Sequence, residues 1–206
     1  MSPSDPADLV GRVRHLTTRY RSGTAAAFGA FRELVGLLLH VTVVSEHQPI
    51  FMTKGPHADT RLLGGSKPLR LNDGRYLRVV ITLFREPTTE GMRLKVAECN
   101  YQYQVDTAGD RWIFRYDYRR TPRDQHPAAH LQIRGDLSEA CLPPKTPIER
   151  VHFPTGRISL EAVIRLLVEQ FRVRCNEPPD VWRPILTESE SGFLKIAHQT
   201  VSGPDH

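Results

Sequence analysis

Between residues 76 and 134 hydrophobic and polar positions alternate with a period of two, the pattern of extended strands with one buried face. The clearest run is Arg111–Arg119. Trp112, Phe114, Tyr116 and Tyr118 fall on one side of it, and Arg111, Ile113, Arg115, Asp117 and Arg119 on the other. The same alternation predicts strands over Tyr76–Phe84, Met92–Val105 and Ala129–Arg134, with Asn72-Asp73-Gly74 as a tight turn into the first. The turn Asp106–Asp110 joins Met92–Val105 to Arg111–Tyr118 as an antiparallel hairpin. Strict alternation puts Lys95, Ala97, Cys99, Tyr101, Tyr103 and Val105 on the aromatic face of that hairpin. Glu98, Asn100, Gln102 and Gln104 then share the polar face with Leu94 and Val96.

Outside this region the period becomes helical. Leu9, Val13, Leu16 and Tyr20 recur at three- and four-residue spacing after Pro6, with Asp5 placed to cap the helix. The arginines Arg12, Arg14, Arg19 and Arg21 fall on its other faces, which suits a solvated surface first and, as the alternative, a basic helix beside nucleic acid. Ser22-Gly23 breaks the pattern, and Thr24 is placed to cap a second helix through Ala25, Phe28, Phe31, Leu34 and Val35. The apolar run after it ends in β-branched residues, which predicts a strand over Leu39–Ser45. Residues 46–75 are rich in turn formers. Gly64-Gly65-Ser66-Lys67 lacks the GxxxxGK[ST] spacing of a phosphate loop and reads as a turn.

Pro143-Pro144 and Pro147 mark an irregular crossover, and Val151-His152-Phe153 a short extended segment. Thr155-Gly156 opens a third helix, with Ser159 as an alternative start, and Ile158, Leu160, Val163, Ile164, Leu167, Val168 and Phe171 form its apolar stripe. Pro178-Pro179-Asp180 starts a fourth, with Pro184 tolerable in its first turn and Trp182, Ile185, Leu186, Phe193 and Ile196 turned inward. Helices, then strands, then helices predict an α+β fold: one domain over 1–206, its helices on one face of an antiparallel sheet. Residues 1–5 and 199–206 are expected to be flexible ends.

Helices covering the aromatic face would leave the polar face open. It would gather Arg111, Arg115, Asp117, Arg119, His130, Gln132 and Arg134, with Arg120, Arg123, Asp124 and His126 in the adjoining loop and His152 nearby. The net charge of +5 suits a polyanionic partner without requiring one. Three cysteines, Cys99, Cys141 and Cys175, are odd in number and form no CxxC pair, which points to reduced thiols in the cytoplasm. No apolar run is long enough to span a membrane, and the N-terminus lacks the parts of a signal peptide. No membrane partner and no cofactor are expected.

Three explanations of the polar face stand open. In the first it binds RNA or another phosphodiester: guanidinium forks on alternate strand positions match phosphates, and a histidine titrating near neutrality moves a proton. His130 and His126, with Asp117 to orient one of them, are the catalytic candidates. Arg115, Arg119, Arg120 and Arg134 are the phosphate ligands. In the second, His126, His130 and His152 hold a metal with Asp117 or Asp124, against which stands Pro127, since it puts the first two histidines on a loop and a strand. In the third, the charges only pair across strands, or the face meets a protein without catalysis.

Tyr101-Gln-Tyr-Gln104, a short polar turn, Trp112-Ile-Phe-Arg-Tyr-Asp117 and His126-Pro-Ala-Ala-His130-Leu together resemble the core pattern of the TumE-like toxin family of bacterial toxin–antitoxin systems. The resemblance covers about residues 98 to 135, and the helix from Ile158 fits it loosely. It implies a toxin acting on RNA or on translation, with a cognate antitoxin-like protein as partner. It favours Arg115, Tyr116, Asp117, His126 and His130. The first 100 or so residues have no counterpart in that pattern, and the histidine segment carries fewer histidines than the family's.

Overall fold

The computed structural model describes residues 5–65, 67–89, 91–122, 127–134 and 153–197. Asp5 Oδ1 accepts a hydrogen bond from Ala7 N at 2.9 Å and opens α1 (Pro6–Arg21), whose Leu9, Val13, Leu16 and Tyr20 are buried as their spacing predicts. Helix α2 (Ala27–Val41) starts later than Thr24 suggests, and no side chain caps it. It also runs on to Val41, into the predicted strand at Leu39–Ser45, of which only Val44 makes a lone bridge, to Leu71. Leu38, Leu39, Val43 and Val44 are all buried. Burying each is worth about 1.5–3 kcal/mol, more than the strand preference of a few β-branched residues, a scale spanning only about 1 kcal/mol.

The turn-rich stretch holds three short strands: β1 (Met52–Lys54), β2 (Thr60–Gly64) and β3 (Leu69–Arg70). They flank the long β4 (Tyr76–Thr88), which pairs with β5 (Gly91–Gln104). Then follow β6 (Trp112–Arg119), β7 (Ala129–Ile133) and β8 (Phe153–Pro154). All pairings are antiparallel, in the order β1-β2-β4-β5-β6-β7-β8 with β3 beside β4. The chain is thus α+β, with four helices among the described residues.

One sheet face is the core side. Leu77, Val79, Ile81 and Leu83 of β4 stand opposite Tyr103, Tyr101, Cys99 and Val96 of β5, and pack with the buried stripes of the helices. Helix α3 (Leu160–Glu169) starts at the alternative site, where Ser159 Oγ accepts from Ala162 N at 3.0 Å. Phe171 lies just past its end and packs on Tyr103 and Phe114, with ring centroids 5.2 and 5.4 Å away. In α4 (Pro179–Ala197) Pro184 falls inside the helix, beyond the first turn. His126, Arg123, Asp124, Cys141, the Pro143–Pro147 crossover, Val151, His152, the Ile196 side chain and the tail from 199 lie outside the described residues.

Two bulges break the strict alternation. Thr82 opposes Glu98 but Leu83 opposes Val96, so the face changes phase at Ala97. Leu94 and Val96 therefore join the core face, while Lys95 opposes Phe84 on the other. Tyr103 opposes Phe114 but Gln104 opposes Trp112. The extra residue moves Trp112 out of the aromatic row and onto the polar face. Phe114, Tyr116 and Tyr118 stay on the core side.

A carboxyl is buried within the helical layer. Glu161 of α3 accepts a hydrogen bond from Ser189 of α4, and Ser159 donates to Glu190 at 2.9 Å. Glu161 lines a cavity of about 60 Å³ with Tyr20, Tyr101, Arg157 and Ser189. Burial raises its pKa above the usual carboxyl range, and the Ser189 bond only partly offsets this. The folded state thus holds the proton more tightly than the unfolded chain, so stability falls as pH rises above about 4.3. Glu161→Gln is expected to raise Tm at pH 7 and to leave it nearly unchanged at pH 4. Calorimetry at the two pH values checks this; equal effects at both would contradict it.

Candidate functional site

Antiparallel register places residues from separate strands in rows across the polar face. Arg78, Gln102, Arg115 and Gln132 form one row over β4, β5, β6 and β7. Val80, Asn100, Asp117 and His130 form the next, and Thr82, Glu98 and Arg119 the one after. Strand rise sets the rows about 7 Å apart, and neighbouring residues within a row lie about 5 Å apart. A cleft of about 300 Å³ opens over these rows, lined by Asn100, Arg115, Asp117, Arg119 and His130, with Pro122, Pro127 and Ala128 among the residues around it.

Asp117 is the hub. Its Oδ1 accepts from Asn100 Nδ2 at 2.6 Å and its Oδ2 from Arg115 Nε at 2.7 Å. His130 Nε2 stands 3.6 Å from the same Oδ2, an ion-pair distance and too long for a hydrogen bond. The other ring nitrogen, Nδ1, lies 3.3 Å from the Pro127 carbonyl. That carbonyl can only accept, so this contact calls for the proton on Nδ1, with Nε2 on the side of Asp117.

Arg115 also donates to Gln132 Oε1 and lies over the Trp112 ring, 5.8 Å from its centroid. Arg119 pairs with Glu98 at 3.0 Å, both side chains nearly half exposed, a pair worth little in stability. Two predicted ligands are not brought into the cleft. Arg134 donates to the Asp110 carbonyl at the hairpin end. Arg120 donates to the Val96 carbonyl at 3.1 Å and lies over Phe84.

Nor is the face simply open. Gln102, Gln104, His130 and Gln132 are buried. Gln102 Nε2 donates to Gln104 Oε1 at 2.9 Å, Gln104 Nε2 to the Asp106 carbonyl at 2.6 Å, and Gly109 packs on both amides. The hairpin loop folds back over that end because Gly109, at φ +87°, supplies a turn that side-chain-bearing residues rarely adopt.

Comparison with known protein families, curated proteins and solved structures returns no match.

The residue that sequence reasoning missed is Arg78. Its Nε is buried with no partner among the described residues. Its position on the polar side of the Tyr76–Phe84 alternation was the available signal. Of the metal set, only His130 and Asp117 are described, and the described residues hold no cluster of three or more histidine, cysteine or carboxylate side chains suited to a metal. Cys99 is buried on the core side, which pushes its thiol up to about 11, too high for a nucleophile at neutral pH. A second cavity, of about 330 Å³, lies on the core side against α2 and is apolar but for Lys67. It has no acid–base pair. No helix among the described residues is long and apolar enough to cross a membrane.

Proposed function

We propose that the polar sheet face binds RNA and cleaves it without a metal, using His130 as the base that takes the 2′-hydroxyl proton. In that step the 2′-oxygen forms a bond to phosphorus and the bond from phosphorus to the 5′-oxygen breaks. The proton passes to His130 Nε2, and the leaving oxygen takes another from water or from His126, which lies outside the described residues. Asp117 stabilises the imidazolium, and Arg115 with Arg78 holds the phosphate. The observation that carries this reading is the pair of adjacent rows: a histidine facing a carboxylate in one and Arg115 in the next, all three lining one cleft, with Arg78 further along the row of Arg115. The resemblance of residues 98–135 to TumE-like toxins supports the same substrate, and with it an antitoxin-like protein partner.

One observation favours a second reading, a non-catalytic interaction face. Arg115, Arg119 and Arg134 each have a protein acceptor, as cross-strand pairing alone would arrange. The two readings separate on Arg78 and Arg115. If the face holds phosphate, replacing both by alanine weakens RNA binding at least tenfold in a fluorescence-anisotropy titration and flattens its salt dependence. Unchanged affinity with an intact fold would favour the interaction face.

A further inference from the structure

The bulge at the start of β6 leaves Trp112 in an unusual place. A large aromatic side chain would normally stay with Phe114 and Tyr116 in the core. Here it stands partly exposed on a face built of amides, carboxylates and guanidiniums, in the row of Tyr76 and Gln104. Arg115 stacks on it from the neighbouring row, while the buried Gln104 and the folded-back hairpin loop fix the sheet beneath. The ring therefore lies 5.8 Å from the guanidinium assigned to a phosphate, one row along the sheet, and further from the His130 end of the cleft. A partly exposed aromatic ring one row from a phosphate-holding arginine is how β-sheet surfaces take single-stranded RNA, because an unpaired base has a free face and a duplex has none.

We propose that Trp112 is a base-stacking platform, and that the RNA recognised by this face is single-stranded. This rests on the reading of the face as an RNA site and adds where the neighbouring base goes. The base stacks on the indole, its phosphate bridges Arg115 and Arg78, and the strand continues along β6 toward Asp117 and His130. A duplex keeps its bases stacked inside and is excluded.

Tryptophan emission reports the contact directly. The other tryptophan, Trp182, is only 3% exposed, so quenching by added RNA reports Trp112. Titrating the full chain with single-stranded hexa-adenylate at about 50 mM salt should quench its emission. Trp112→Phe, which keeps a stacking ring, should bind within about threefold of wild type but lose the quench. Trp112→Ala should bind about tenfold more weakly or worse, the size of one lost stack, with its salt slope unchanged because no phosphate contact is removed. An RNA duplex of the same length should bind more weakly than the single strand.

Binding without quenching, equal affinity of Trp112→Ala, or equal affinity for duplex and single strand would each overturn the stacking assignment while leaving the RNA face in place. Failure to bind either RNA would remove the face itself and this subsite with it. The wild-type quench needs no variant, so poor folding of Trp112→Ala would not shield the proposal.

Discussion

His130→Ala is expected to slow RNA cleavage by about 10²–10⁴-fold, the usual contribution of a positioned acid–base group. The melting temperature should fall only slightly. Asp117 keeps its bonds from Asn100 and Arg115 when the imidazole is gone, so no buried carboxylate is stranded. His130→Gln preserves more of the volume and restores no base. It should therefore be as inactive as the alanine variant and nearer wild type in stability. Asp117→Asn should lose less activity, since it removes the stabiliser of the imidazolium and keeps the base. Steady-state cleavage of a short fluorogenic RNA, with Tm measured alongside, checks all three. Full activity in His130→Ala would end the catalytic assignment. Activity lost only in step with Tm would make the histidine structural.

The largest stability effect is expected at Gly64→Ala. Gly64 ends β2 with φ +85°, and a Cβ there would stand 1.8 Å from the Val79 carbonyl oxygen of the paired strand. The positive φ alone costs about 1–3 kcal/mol for a residue with a side chain. Displacing β4 backbone to relieve the clash adds to that, so a loss of about 3 kcal/mol or more follows. Its neighbour is the control: a Cβ on Gly65 meets nothing within 4 Å, and its φ is not positive. Gly65→Ala should change stability by less than about 1 kcal/mol, in either direction. Chemical denaturation of the two variants decides the point, and similar losses in both would show that the contact at Val79 is not the cause.

The helices were legible where one stripe settled their packing. Asp5, Leu9, Val13 and Leu16 specify α1, and Ser159 with the stripe from Leu160 to Leu167 specifies α3. Leu39–Val44 was not legible, because local β propensity and tertiary burial pull in opposite directions there and burial outweighs propensity. Strands β1, β2 and β3 are two to five residues long, too short for alternation to stand out from turn composition. The bulges were hidden for a different reason. Each is one residue without a partner, so it exists only relative to the opposite strand, and period-two counting through Ala97 or into Trp112 carries the wrong face beyond it.

The site shows the same division. Arg115, Asp117 and His130 were visible because they crowd into neighbouring segments of charge. Arg78 was not, because it is a single arginine in an apolar strand more than thirty residues away. It shares a row with Arg115 only through the register of β5 between them. Arg120 and Arg134 were read as ligands by proximity in the chain, yet each turns to a backbone carbonyl at its own end of the sheet.

The central claim is that this face holds phosphates of RNA, and the salt dependence of wild-type binding tests it most directly. Each phosphate contact to a single strand contributes roughly −0.7 to the slope of log K against log salt. Arg78 and Arg115 together predict a slope of about −1.4 or steeper between about 50 and 200 mM salt. A measured slope of that size supports an RNA-binding face. No detectable binding at the lowest salt, or binding indifferent to salt, would contradict it.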